Sequence, residues 1–558
     1  MGHAMTDPYI LNPGPRVPVT GLKAACSTDS AIVTETIMKI LRDGGNAVDA
    51  AIAGCMVQAA VEPFMTNHAG TVVFLYFEAK TGRYHQLDST GTFPGGIAPF
   101  RPLPKMTHGF AATHLSACIP GFMPGLKAMY DRFATRNWAS LCEDAIRWAD
   151  EGHPVSSFEY GITAGQEHFL TYFPEGREFY LPGGYFTPVG QRFGNAAMTR
   201  TLRRVAEEGP DHMISGGWAR AFVDKANAMG WPITMAHMVE TPPRWVEPLR
   251  FTHGAHEIVG LAPPQQQALY CAYVLGVLRH LGIADHAPGS AEHIFYMAHA
   301  LRLGLFHCGF LGDPMVGSYA FDQLLDDDFQ RAGARMIGGL RPAIDLTEHV
   351  RLTATGSAKA GRPTRAITSP ALPPSSCELS IVDAEGNWVQ MMNTMQSGGI
   401  PGMVVEGIPM CGSHATFTGM SGNMDAKLVA GTRMRRALGS TFVLRNGVPV
   451  LSLGTPGNVY FTIPQMLTYL LDFGLDVTAA QDGARMLPMD EDGSVTVEDR
   501  LMTDTLDRLA SWGVNTRAIS PYEYHMGSFQ MCFRDGPGGQ LGASADPRRC
   551  GVADGIRA

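Results

Sequence analysis

A chain of 558 residues that is 45% hydrophobic and 17% charged holds enough apolar material for a large buried core and is far from a disordered composition. Its net charge of −9, with no basic stripe or long Lys/Arg run, excludes a nucleic-acid-binding surface. Apolar stretches such as 50–61 stop short of a membrane span, and the start MGHAMTDPYILNPGPRVPVT lacks a basic segment followed by an apolar one. A soluble, cytoplasmic protein without a membrane partner is therefore expected. The ten cysteines show no Cys-x-x-Cys spacing and read as buried thiols of a reducing compartment. The histidines carry no ligand spacing, so neither a metal nor a cofactor is expected.

After a tail over 1–20, residues 24–26 read as a short strand and 34–42 as a helix, with Ile37, Ile40 and Leu41 at helical spacing before Gly44 and Gly45. Residues 46–62 are a second helix, rich in Ala and suited to burial against a sheet. The β-branched and aromatic run 71–77 and the strand 84–88 form a hairpin. Helices are expected at 125–133 and 138–151, and a mainly helical stretch follows, with helices at 197–208, 217–229, 266–281 and 291–306. Residues 351–375 are small, basic and Pro-rich, the composition of an exposed strap. Strands at 377–383 and 388–394 follow it. A hairpin over 441–453 turns at Arg445-Asn446-Gly447, and a helix at 463–471 precedes the tail 542–549. No repeat emerges. Strands and helices occur in blocks, the pattern of stacked antiparallel sheets covered by helices.

Several blocks, in one order, resemble the γ-glutamyltranspeptidase family over nearly the whole chain. They are Ile40-Leu-Arg-Asp-Gly-Gly-Asn-Ala-Val-Asp49, Val61-Glu-Pro63, Pro120-Gly121, Ala206-Glu-Glu-Gly-Pro210, Pro263-Pro264 and Gly312-Asp-Pro314 in the first part. Ser380-Ile-Val-Asp383, Gly454-Thr-Pro-Gly457 and Gly542-Ala-Ser-Ala-Asp546-Pro-Arg548 continue them in the second. The resemblance implies an α+β fold, the four-layer αββα sandwich of N-terminal-nucleophile hydrolases, and a chain that cuts itself just before its nucleophile. It divides the chain into a large segment 21–375, ending in the strap, and a small segment 376–558, the two building one αββα unit. The strap abutting a strand fits that scheme independently, because a cut end could swing away. A hydroxyl at the first residue of the new chain would then be activated by its own amine.

Counting back from Ser380-Ile-Val-Asp383, the family's nucleophilic threonine falls on Ser376, with the cut between Ser375 and Ser376. Serine keeps the hydroxyl and loses only a methyl. Ser375 and Cys377 flank it, so a register error of one residue would still leave a nucleophile. Glu378 stands where the family carries histidine. Thr394 falls on a threonine that supports the nucleophile, or is a plain strand residue. Gly457 and Asn458 fall on the turn whose amides form the oxyanion hole. On the substrate side, the family's carboxylate-binding arginine falls on Thr90 and its amine-binding aspartate on Thr416. The neighbouring asparagine falls on Gln396, and the paired serines fall on Gly439 and Ser440.

Without the bidentate clamp and its counter-charge, a zwitterionic glutamyl head is poorly held. The neutral groups Gln396, Ser397, His414 and Thr416 point to a neutral or weakly polar acyl group. His68 reads as a core histidine or a ligand contact. Arg433, Arg435 and Arg436 read as a solvated run in preference to a site for an acidic substrate tail. Gly356 and Gly361 have phosphate-loop spacing, but Arg362-Pro363 follows and no strand precedes. The expected activity is an amide hydrolase or acyltransferase on a small-molecule, non-γ-glutamyl substrate. Its partners would be the two processed segments, associated with each other, and a possible second copy in a homodimer. Cleavage of a C–C bond next to a ketone at the same site, or an uncleaved non-catalytic relative, are the alternatives.

Overall fold

The computed structural model describes residues 7–95, 118–315, 317–340, 376–395, 402–410, 431–433, 438–488, 493–534 and 539–558, side chains 168 and 169 apart, and the backbone of 101–102 and 427–428. Ser375 with the rest of the strap, and Gln396, Ser397, His414, Thr416, Arg435 and Arg436, lie outside the described residues.

Strand β1 (Val19–Thr28) leads into α1 (Ala31–Arg42) and α2 (Ala47–Val61). The first helix buries Ile32, Val33, Ile37, Met38 and Leu41 along one stripe. The second is buried at every position, as its Ala-rich sequence implies. Its start is fixed by a capping box, in which Asn46 accepts from the amides of Val48 and Asp49 and the Asp49 carboxylate accepts from that of Asn46. The hairpin β2 (Thr71–Glu78) and β3 (Arg83–Ser89) follows, then α3 (Phe122–Phe133), α4 (Trp138–Glu151), α5 (Ala196–Glu208) and α6 (Gly217–Ala228). Three strands, β4 (Arg244–Val246), β5 (Leu249–His253) and β6 (His256–Gly260), interrupt the stretch read as mainly helical. Helices α7 (Gln267–His280), α8 (Ala291–Cys308) and α9 (Asp327–Leu340) close the first segment. The second segment holds β7 (Cys377–Val382), β8 (Trp388–Thr394), β9 (Thr441–Arg445), β10 (Val448–Gly454), α10 (Val459–Leu467), β11 (Gln530–Arg534), β12 (Leu541–Ala545) and β13 (Val552–Arg557).

These strands form one 13-stranded sheet among the described residues, in the order β4-β3-β2-β8-β7-β1-β12-β11-β10-β9-β6-β5, with β13 also paired to β1. The two central sheets expected from the sequence are thus joined edge to edge through β1. The sheet doubles over so that β7 and β8 face β10 and β11. Along β7, Cys377, Leu379 and Ile381 enter the core shared with α1 to α4, while Val382 belongs to the core containing Met392, Phe442, Leu453 and Met531. That second core reaches Leu275 of α7 and Ile463 of α10, and a third surrounds α7 and α8.

The helix expected at 463–471 begins earlier, at Val459, and passes into a π turn over Thr468–Asp472. Pro464 lies inside it. The tail expected at 1–20 is docked where it is described. Arg16 Nη1 donates to the Gly551 carbonyl at 2.5 Å, and Ser157 N donates to Tyr9 O at 2.8 Å. Among the described residues no helix is long and apolar enough to cross a membrane.

Candidate active site

Ser376 sits at the entry of β7, an interior strand bounded by β1 and β8. The register pairs Cys377 with Asn393, so the next position outward sets Ser376 opposite Thr394, the last residue of β8. Three features hold the Ser376 backbone. Its N–H donates to Met65 O at 3.1 Å, and the same carbonyl takes the amide of Met395, also at 3.1 Å. Its carbonyl accepts from Arg549 Nη1 at 2.9 Å. Its φ is +128°, in the region that only glycine occupies easily. A serine kept there costs about 1–3 kcal/mol, and strain of that kind concentrates at functional positions. Gly70 permits the close packing beside this point, since a Cβ on it would lie 2.0 Å from Thr394 O.

Cys377 points the other way, fully buried, with its thiol donating to Glu62 Oε2 at 3.6 Å. It cannot substitute for Ser376, because alternate strand residues face opposite sides of a sheet. Burial pushes its thiol pKa up, which makes the thiolate scarcer still.

On and around the strand that follows Ser376 lie three buried carboxyls, Asp29, Glu62 and Glu378, and the guanidinium of Arg549. Asp29 accepts from Glu378 N at 2.9 Å, Gln530 Nε2 at 2.9 Å and Ser528 Oγ at 3.1 Å, and Arg549 Nη1 stands 3.8 Å from it. Glu62 takes Gln58 Nε2 at 2.9 Å besides the Cys377 thiol. Glu378 takes Gln390 Nε2 at 2.7 Å and, weakly, Ser440 Oγ at 3.5 Å. Desolvation raises all three carboxyl pKa values, with Glu62 pushed up to about 8 and Glu378 well above the usual range. Asp29, with three donors and the Arg549 guanidinium 3.8 Å away, carries charge first. None of Asp29, Glu62 and Arg549 was singled out from the sequence, because no local pattern marks residues that meet only on folding. A crevice lined by Tyr9, Asp29, Ser30, Glu62, His153 and Phe158 reaches the cluster.

Facing this strand from the other half of the sheet, β10 ends in Gly454 and turns through Gly457 and Asn458 into α10. Gly457 has φ +87° and needs glycine. Asn458 has φ −84° and does not, so an asparagine there leaves the turn intact. No backbone carbonyl among the described residues accepts from either amide. Asn458 Nδ2 donates to His525 O at 2.8 Å, which fixes the turn from below.

Comparison with known proteins bears on this geometry. The profile of the family described as Gamma-glutamyltranspeptidase matches residues 33–556. The chain belongs to this γ-glutamyltranspeptidase family. It is similar to the glutathione hydrolase proenzyme of Bacillus subtilis (strain 168), 22% identical with 96% of this chain and 92% of that one covered. The acylase ACY 1 proenzyme of Pseudomonas sp. (strain SE83) is 24% identical, covering 84% and 83%. Among solved structures, a cephalosporin acylase from Bacillus halodurans has the same fold, with a TM-score of 0.81, 21% identity and complete coverage of both chains.

Within the γ-glutamyltranspeptidase frame, the expected substrate positions fall in unequal surroundings. Thr90 is fully buried, and both its amide and its hydroxyl donate to Asp88 Oδ1, at 3.1 and 2.8 Å. Gln265 Nε2 donates to the other Asp88 oxygen at 2.9 Å. Arg433 is 2% exposed, not part of a solvated run. Its guanidinium stands 3.6 Å from Asp88 Oδ1 and donates to the carbonyls of Asp88 and Pro242, while its amide donates to Asp313 Oδ2 at 2.9 Å. Gly439 packs on the first turn of α10, where a Cβ would meet Val459 and Ile463 at 2.8 Å. The Ser440 hydroxyl turns onto Glu378. His68 is a core histidine. Its Nε2 bonds Met56 O at 3.0 Å, its ring meets Phe122 edge-on, and burial pushes its pKa down to about 4. The nine described cysteines are all buried and free.

Proposed function

We propose that this chain is a self-processing amide hydrolase or acyltransferase whose nucleophile is the N-terminal serine released by a cut before Ser376, acting on a non-γ-glutamyl amide. The observation that carries the reading is the clamped, left-handed Ser376 at the head of an interior strand, opposite Thr394. In the cut, Ser376 Oγ attacks the carbonyl carbon of residue 375 and its proton passes to the Ser376 nitrogen, so that the C–N bond breaks as the ester forms and frees the α-amine. Water then hydrolyses the ester to leave the Ser376 hydroxyl and a carboxylate on residue 375. Leaving the +128° conformation would relieve strain held in the precursor. The amine on Ser376 then serves as base for its own hydroxyl, and the amides of Gly457 and Asn458 face the developing oxyanion, an effect of about 3–4 kcal/mol in comparable sites. The four-layer αββα arrangement goes with this reading and is supported by the doubled sheet with helices on its outer sides. Relatives named as proenzymes, acylases among them, support processing and amide chemistry.

The substrate argument rests on Thr90. Its hydroxyl is committed to Asp88, and the adjacent cation Arg433 is tied to Asp88, so a glutamyl carboxylate would meet no available arginine from these described positions. Incubating the purified wild type and Ser376→Ala tests the proposal on a denaturing gel. The wild type should resolve into pieces of about two-thirds and one-third of the 60.2 kDa chain, the smaller beginning Ser-Cys-Glu-Leu by N-terminal sequencing. A wild type that remains one band overturns processing. Faster release from γ-glutamyl-p-nitroanilide than from p-nitroanilides of neutral acyl groups overturns the substrate class.

A further inference from the structure

Glu378 is the one acid on β7, and its surroundings are unusual for a charge. It lies two residues along the strand from Ser376 and is fully buried. One carboxyl oxygen, Oε1, accepts from Gln390 of β8 and lies within 3.5 Å of Ser440, just before β9. The other, Oε2, has no hydrogen-bond partner among the described residues. The carboxyl also fills the space left open at Gly454, the last residue of β10, where a Cβ would lie 2.0 Å from Oε1 and 2.6 Å from Gln390 Nε2. A single side chain therefore touches the nucleophile's neighbour strand, the entry to β9, and the end of the strand that turns into Gly457 and Asn458.

The charged and titratable groups around it give it no cation. β8, β9 and β10 present Gln390, Ser440 and Gly454. The turn after β1 presents Asp29, which accepts the Glu378 amide, and Arg549 faces Asp29. Glu62 and Cys377 pair with each other on the opposite face of the strand. An ionised carboxylate with no cation beside it and one oxygen without a donor is costly to keep at such a depth.

Resting on the processed-serine reading above, we propose that Glu378 is a positioning residue. As a neutral carboxylic acid it braces the strand of Ser376 against the strand of the oxyanion turn, and so sets the spacing between nucleophile and amides. Ionisation would put an uncompensated buried charge between the two strands and force them apart or let water in. The group is raised above its ordinary value, so the neutral form holds at low and neutral pH and is lost as pH rises through the folded-state value.

The test follows the self-cleavage rate of the purified full chain across pH 6 to 10 for wild type, Glu378→Gln and Glu378→Leu, with near-UV circular dichroism as a check of packing. The wild-type rate should fall in one alkaline step. Glu378→Gln, which keeps donor and acceptor and cannot ionise, should cleave within about 3-fold of wild type at pH 7 and lack that step. Glu378→Leu should cleave at least ~10-fold more slowly at every pH. An infrared difference spectrum of wild type minus Glu378→Gln at pH 7 should contain one protonated-carboxyl C=O band, and this decides the matter even where Glu378→Leu fails to fold. An alkaline step that persists in Glu378→Gln, a Glu378→Leu chain that cleaves like wild type, or an absent carboxyl band overturns the proposal alone. A wild-type chain that never cleaves overturns the processing reading and the brace with it.

Discussion

Asp29, Glu62 and Glu378 are buried about one strand with a single arginine beside them, and the three carboxyls cannot all hold their charge at neutral pH. Asp29 takes the guanidinium of Arg549, and Glu62 is left with an amide and a thiol. With its pKa pushed up to about 8, Glu62 favours the folded state in its protonated form. The sign follows. The contribution is complete below the ordinary glutamate range and is lost as pH rises toward and through about 8. The melting temperature of the wild type should therefore fall relative to Glu62→Gln between pH 5 and pH 8, with a difference on the order of 1–3 kcal/mol at the top of that window. Parallel melting curves at every pH would show that Glu62 is already ionised. At the proposed oxyanion turn, Gly457→Ala should cost about 1 kcal/mol through its positive φ, and Asn458→Gly, which keeps the amide but loses the Nδ2 bond to His525 O, should cost about 1 kcal/mol as well and slow cleavage. Thermal unfolding and the gel assay check the pair.

Single residues were legible in the sequence only where a local block anchored them. Ser376, Thr394, Gly457 and Asn458 could be set on family positions because short motifs fix their register. Glu378 was visible as a charge out of place, but its buried setting is made by Gln390 and Gly454, which folding brings from elsewhere. Arg433 looked solvated because it stands in a basic run. Asp88 and Asp313, 345 and 120 residues away in the chain, draw it inside.

At the scale of elements, helices with a clear 3.6-residue stripe declared themselves, and α4 and β8 have the bounds that periodicity gives. Strand β12 did not, because Leu-Gly-Ala-Ser-Ala has little β propensity. Its small residues suit it to an interior place between β1 and β11. The same logic of small residues governs Gly454. A Gly454→Ala change should destabilise the chain by about 1–3 kcal/mol, since the new methyl would occupy the place of the Glu378 carboxyl. In a Glu378→Ala background the same change should cost much less, and a double-mutant cycle of chemical unfolding measures the coupling. Additive costs would mean that Gly454 is needed for its backbone alone.

Over the whole molecule, the last strands are locked by a buried ionic network that the sequence showed only as a family block. Arg548 bonds Glu498 Oε2 at 2.7 Å and Asp546 Oδ1 at 3.2 Å, and Arg485 pairs with Asp546 and donates to Gly527 O at 2.9 Å. Arg548→Met should cost about 3–5 kcal/mol, because it leaves Glu498 and Asp546 with one buried cation fewer. A loss under 1 kcal/mol in denaturant unfolding would show that Arg485, on Asp546, and Arg500, 2.7 Å from Glu498 Oε2, balance them without it.

The strand order carries a kinetic consequence. Strands from before and after residue 376 alternate in blocks: β4, β3 and β2, then β8 and β7, then β1, then β12 to β9, then β6 and β5. While the chain is continuous, every one of these ladders closes within one molecule, and the rate of refolding does not depend on concentration. Were it cut before residue 376, the ladders at the block boundaries, β2 with β8, β7 with β1, β1 with β12 and β13, and β9 with β6, would join two molecules that must find each other, at an effective concentration no longer supplied by the connecting peptide. Native topology can then be reached quickly only by the precursor. The mature protein would be a one-way product, persistent because its two pieces are laced through one sheet and slow to re-form once they part.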